Sequence, residues 1–110
     1  MQQDLQFRLD QVAQALDHKD YRSATQLLKV LWQEVPDNPW VQIYRARLYE
    51  AAKKFDPAET IYRHLLRDAI SPKVALQARQ GLQRIQATAQ AQRQAALAAT
   101  KASRPDSGEQ

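Results

Sequence analysis

The chain has 110 residues and a formal net charge of +4, with two glycines and no cysteine. That length fits one domain around one core, and the lack of cysteine excludes disulfides and thiolate metal sites. No apolar run approaches the roughly 20 residues that cross a bilayer, and the opening Met1-Gln2-Gln3-Asp4-Leu5-Gln6 lacks the basic-then-apolar order of a secretion signal, so a cytoplasmic protein is expected.

Ala, Leu, Gln, Arg and Glu dominate, residues that lose little rotamer freedom in a helix, and the fold class predicted is all-α. Leu5, Leu9, Val12 and Leu16 mark a first amphipathic helix, and Asp17-His18-Lys19-Asp20 a turn. Tyr21, Ala24, Leu27, Leu28 and Leu31 then follow the spacing that lines one helical face. Val35-Pro36-Asp37-Asn38-Pro39 separates this helix from the next, with Asn38 suited to the N-cap and Pro39 to the first helical position, where no amide hydrogen is missed. Val41, Ile43, Ala46, Leu48 and Tyr49 belong to a third helix. Asp56-Pro57 sets the start of a fourth near Phe55, because proline is tolerated only in a first turn. Ser71-Pro72 opens a fifth, with Ala75, Ala78, Leu82 and Ile85 as its stripe and Gly81 as a point of close helix packing. Residues 87–102 are rich in Ala and Gln and predict a solvated helical extension. Residues 103–110 have the composition of a disordered tail or linker.

The second and fourth helices repeat. Phe55, Ala58, Ile61, Tyr62 and Leu65 each stand 34 residues after Tyr21, Ala24, Leu27, Leu28 and Leu31. Two helices per 34 residues make a helical hairpin, and a repeat of that period is the signature of stacked units.

Tyr21-x-x-Ala24 with Pro36, and Phe55-x-x-Ala58 with Pro72, resemble the tetratricopeptide repeat, a 34-residue hairpin with an aromatic and then a small residue early in its second helix and a proline after it. The family's Trp, Leu and Gly of the first helix are replaced by Arg8, Gln11 and Val12, then by Gln42, Arg45 and Ala46. The resemblance implies a right-handed superhelical solenoid of about five helices. It has repeats near 5–38 and 39–72, a domain over residues 1–86 and a long C-terminal helix from residue 72 capping the last hairpin.

Chemistry is sparse. His18 and His64 show no i, i+4 metal pair, the carboxylates are scattered, and two glycines cannot form a phosphate loop. No catalysis, cofactor or metal is expected. Tyr21, Phe55 and Tyr62 are expected in the core, and Trp32 over the junction between hairpins. Trp40, Tyr44, Arg47 and Ala51 share one face of the third helix, and the resemblance puts that face on a concave groove that takes partner segments. Gln6, Asp10, Ala13 and Asp17 hold the equivalent places one repeat earlier, and Lys73, Gln77, Gln80 and Arg84 one repeat later. The expected partner is a protein or peptide segment, steered by charge and anchored by an apolar side chain, with ordinary helix packing as the competing role for Trp40 and Tyr44. The Lys, Arg and Asn set that some relatives use to hold a C-terminal carboxylate is missing.

Two other readings stand beside it. From Arg63 to Arg104 there are eight Lys or Arg and one acid, Asp68, so the C-terminal part offers a surface for nucleic acid or an anionic membrane. Both are disfavoured, because no aromatics interleave and no bulky apolar face is present. A homodimer covering Leu82, Ile85 and Ala89 is the other.

Overall fold

A computed structural model describes residues 2–68 and 71–102, with side chains over 4–68 and 71–100. Among these residues five α-helices follow one another: α1 Gln2–Asp17, α2 Tyr21–Glu34, α3 Pro39–Ala51, α4 Phe55–Asp68 and α5 Pro72–Ala102. No strand occurs among the described residues. The tail expected to be disordered, 103–110, lies outside them.

The boundaries follow local chemistry. Asp20 caps α2 by accepting from the Ser23 amide at 3.2 Å. Asn38 caps α3 by accepting from the amides of Trp40 and Val41 at 2.9 and 3.3 Å, with Pro39 at the first helical position, as the sequence predicts. The turns after α1 and α3 are the same structure one repeat apart. Asp20 N–H reaches the Ala15 carbonyl and Lys54 N–H the Tyr49 carbonyl, both at 2.8 Å. Lys19 and Lys53 each adopt the left-handed conformation, with φ of 59° and 62°. This is the helix-ending motif that normally takes glycine, and here both copies place a lysine in it.

α1 pairs with α2 and α3 with α4. α3 also packs on α1 and α2, and α5 lies along α4 and α3. Two apolar clusters result. Leu9, Val12, Leu16, Ala24, Leu28, Leu31 and Val41 form the first. Ile43, Ala46, Ala58, Tyr62, Val74, Ala78 and Ile85 form the second. Trp40 and Tyr44 border both, so α3 is the seam of the molecule.

Two expectations are corrected. Tyr21 is not core: it is 40 % exposed, because it stands first in α2 and lines a cleft open to solvent. The equivalent Phe55 has no polar tip and packs against the second cluster. Leu82 and Ile85 are not open for a second copy, since both pack into the second cluster and Ile85 is only 7 % exposed. Val74, which the predicted stripe omits, is buried beside them.

Gly81 has a steric reason. A Cβ there meets the Tyr62 ring at 2.3 Å, so the smallest residue allows α5 to settle onto the largest buried side chain of α4. The Tyr62 hydroxyl donates to Glu50 on α3, and Arg84 on α5 binds the same carboxylate at 3.0 Å through both Nε and Nη2. Burial first, then the Glu50 carboxylate, push the Tyr62 phenol well up, so it remains a donor. Three helices therefore meet at one hydrogen-bonded carboxylate at the edge of the second cluster: Tyr62 is buried, Glu50 half-buried and Arg84 exposed, so the buried phenol has its partner while the charges keep contact with water.

Candidate functional site

Three helices, α1, α3 and α5, lie side by side because each is the first helix of a hairpin or its continuation. Residues 34 apart on them are therefore neighbours. The contact between Glu50 and Arg84 is one such pair, and it creates an ion pair across two helices.

α3 supplies the centre. Trp40 and Tyr44, one turn apart, are half-buried, with ring centroids 6.2 Å apart and planes tilted by 37°. Burial, helped by the nearby Asp10 charge and opposed by Arg47, pushes the Tyr44 phenol upward. Both residues thus do part of the packing that the competing reading assigned to them and still present a face to solvent. Arg47 follows, with a guanidinium nitrogen 3.8 Å from the Asp17 carboxylate of α1.

α1 supplies Gln6 and Asp10, both exposed. The Gln6 amide donates to the Asp10 carboxylate at 3.0 Å. At the other end a cleft of about 330 Å³ is lined by Leu16, Tyr21, Arg47, Glu50, Ala51 and Arg84, which brings two expected residues, Arg47 and Arg84, into one concavity. Lys73 is exposed and Gln77 half-buried on α5. Among the described residues no hydrogen bond or ion pair joins either to Trp40, Tyr44 or Arg47.

Two of the expected cations are already paired within the chain. Arg47 and Arg84 each face a carboxylate of the chain itself, Asp17 and Glu50, whereas Lys73 has no carboxylate within ion-pair distance among the described residues. Sequence reasoning passed over Glu50, Tyr21 and Leu16 as lining residues. The signal for Glu50 was available, since an acid and a base stand at equivalent places of successive hairpins.

Among the described residues no group of three or more His, Cys, Asp or Glu could hold a metal. His18 and His64 are exposed, His18 with a ring nitrogen 2.8 Å from the Gln14 carbonyl and His64 3.1 Å from Asp68. No described helix is long and apolar enough to cross a membrane.

Comparison with curated proteins and with solved structures gives no match. A family model does match: it describes the tetratricopeptide repeat and spans residues 15–76, from the end of α1 through α2, α3 and α4 into α5. The stretch outside it includes most of α1, whose first-helix positions hold Arg8, Gln11 and Val12 in place of the family's residues. Repeats of this kind generally mediate protein–protein interaction and are typically not catalytic. With more than half of its length matched, two hairpins in register and a fifth helix closing the second, the chain belongs to the tetratricopeptide repeat family.

Proposed function

We propose that the chain is an adaptor that holds a segment of another protein on the surface of α1, α3 and α5. The observation that carries this reading is the half-exposed Trp40 and Tyr44 pair at the seam of both cores, flanked by Asp10 and by the Asp17–Arg47 ion pair. Aromatic side chains held by a core lose little entropy when they bind, and they concentrate energy at interfaces. Gln6, Asp10, Asp17, Arg47, Lys73, Gln77 and Arg84 supply the polar rim. Because Arg47 and Arg84 already have partners, the segment that fits is mainly apolar at its centre, with a basic group near Asp10 and an acidic one near Lys73.

Residues 1–86 make the binding unit in this reading, and 87–102 extend α5 away from it. The basic-helix alternative is supported less well. Arg84 is occupied by Glu50, and Arg79 and Arg93 stand 14 residues apart, about 21 Å along the helix. A tight phosphate-binding cluster is therefore missing among the described residues. One test separates the two. Capture from a native lysate at low and high salt compares wild type with Tyr44→Ala, Arg47→Glu. A protein retained at high salt by wild type and lost in the variant supports the groove. Nucleic acid or lipid retained equally by both, and released by salt, moves the function to α5.

A further inference from the structure

Arg45 follows Tyr44 directly and so points about 100° away around α3, onto a different surface. Its guanidinium stacks on the Trp32 ring of α2, 3.6 Å from the centroid, and lies 5.7 Å from the Tyr49 ring. Two neutral groups hold it there: Nη1 donates to the Gln42 side-chain oxygen at 3.1 Å and Nη2 to the Tyr49 hydroxyl at 3.3 Å. Every other arginine of α1, α3 and α4 has a carboxylate within ion-pair distance. Arg45 is half-buried and has none among the described residues.

The surroundings add to this. Leu28, Lys29, Trp32, Arg45, Leu48 and Tyr49 line most of a cleft of about 190 Å³ at the α2–α3 seam, and no acidic residue lines it. Two cations above an apolar floor, with an exposed Trp and a Tyr at the rim, have the composition of an interface hot spot.

The repeat provides an internal control. At the next junction Leu66 stands 34 after Trp32, Arg79 34 after Arg45, and Gln83 34 after Tyr49. Leu66 packs against the second core. An aliphatic residue therefore suffices to fill this position. The indole at Trp32 is 40 % exposed, more surface than filling the junction needs.

We propose that this cleft is a second docking site, which takes an acidic side chain next to an apolar one from a partner protein. The carboxylate meets the stacked Arg45 guanidinium, whose fork geometry is fixed in advance by Trp32, Gln42 and Tyr49. The apolar neighbour covers Leu28 and Leu48 beside the indole. A nucleic acid is the poorer fit, because two cations over an aliphatic floor offer no continuous track for phosphates.

The test is selection of a random twelve-residue peptide library on the full chain, followed by fluorescence-polarisation titration of the enriched peptides. Titrations compare wild type, Arg45→Gln, Trp32→Leu and Tyr44→Ala, each first shown by circular dichroism to melt like a folded protein. Trp32→Leu copies the residue of the second junction and so retains packing. The proposal expects a set of enriched peptides that pair an acid with an apolar residue and bind at least tenfold more weakly to Arg45→Gln and Trp32→Leu. Those peptides bind Tyr44→Ala as they bind wild type. No enrichment, enriched peptides without acids, or equal binding by Arg45→Gln overturns it. So does an oligo(dT) strand that binds wild type and loses that binding in Arg45→Gln.

Discussion

Single residues show where this chain departs from the best local choice. Lys19 and Lys53 sit in left-handed backbone at the ends of α1 and α3, a conformation that costs a side-chain-bearing residue about 1 kcal/mol or more and glycine almost nothing. Lys19→Gly and Lys53→Gly are each expected to stabilise the protein by about 0.5–1 kcal/mol in urea unfolding, after the extra freedom of unfolded glycine is subtracted. Gly81 is the reverse case. Gly81→Ala gains helix propensity but drives a methyl into the Tyr62 ring, and overpacking of about 1–3 kcal/mol outweighs a gain of about 1. A lower melting temperature is expected, and an unchanged or higher one refutes the assigned contact between α4 and α5.

At the scale of the helix, much was legible and the remainder has identifiable reasons. The apolar spacing and the Asn38-Pro39 and Asp56-Pro57 signals located all five helices, because periodicity and capping are local. Tyr21 escaped that logic: the 34-residue match to Phe55 is real, but exposure depends on which side of a cleft the helix end occupies. Glu50 is legible only in part: its pairing with Arg84 follows from their 34-residue offset, but the hydrogen bond from Tyr62 needs the packing of α4. Buried small residues were legible, and Ala58→Asp is expected to cost about 3 kcal/mol or more, since an unpaired charge has no partner in the second cluster. Acid sensitivity also belongs here. Hydrogen bonds from Ser23 hold Asp20, and hydrogen bonds from Arg8 hold Glu34, below the usual carboxylate range. The folded state therefore binds these protons less readily than the unfolded one. The stability they add is present above about pH 4 and is lost as pH falls through the lowered values. Glu34→Gln should flatten the fall in melting temperature between about pH 5 and pH 3.

The whole molecule is two hairpins closed by a helix that outruns them. Residues 89–100 are exposed all round, so α5 beyond the second core gains nothing from packing. Truncation after Gln86 is expected to lower total helicity while leaving the cooperative melt within about 2 °C of the full chain. A large drop in melting temperature would place residues 87–102 inside the folding unit. The adaptor role requires a partner to lie against Trp40 and Tyr44. The most direct measurement puts a photoreactive p-benzoylphenylalanine at position 44 or, as control, at Gln26 on the exposed face of α2, followed by irradiation in cells and mass spectrometry of the adducts. A discrete protein adduct from position 44 that position 26 does not give is the result predicted. The same adducts from both positions, or none from position 44, would contradict it.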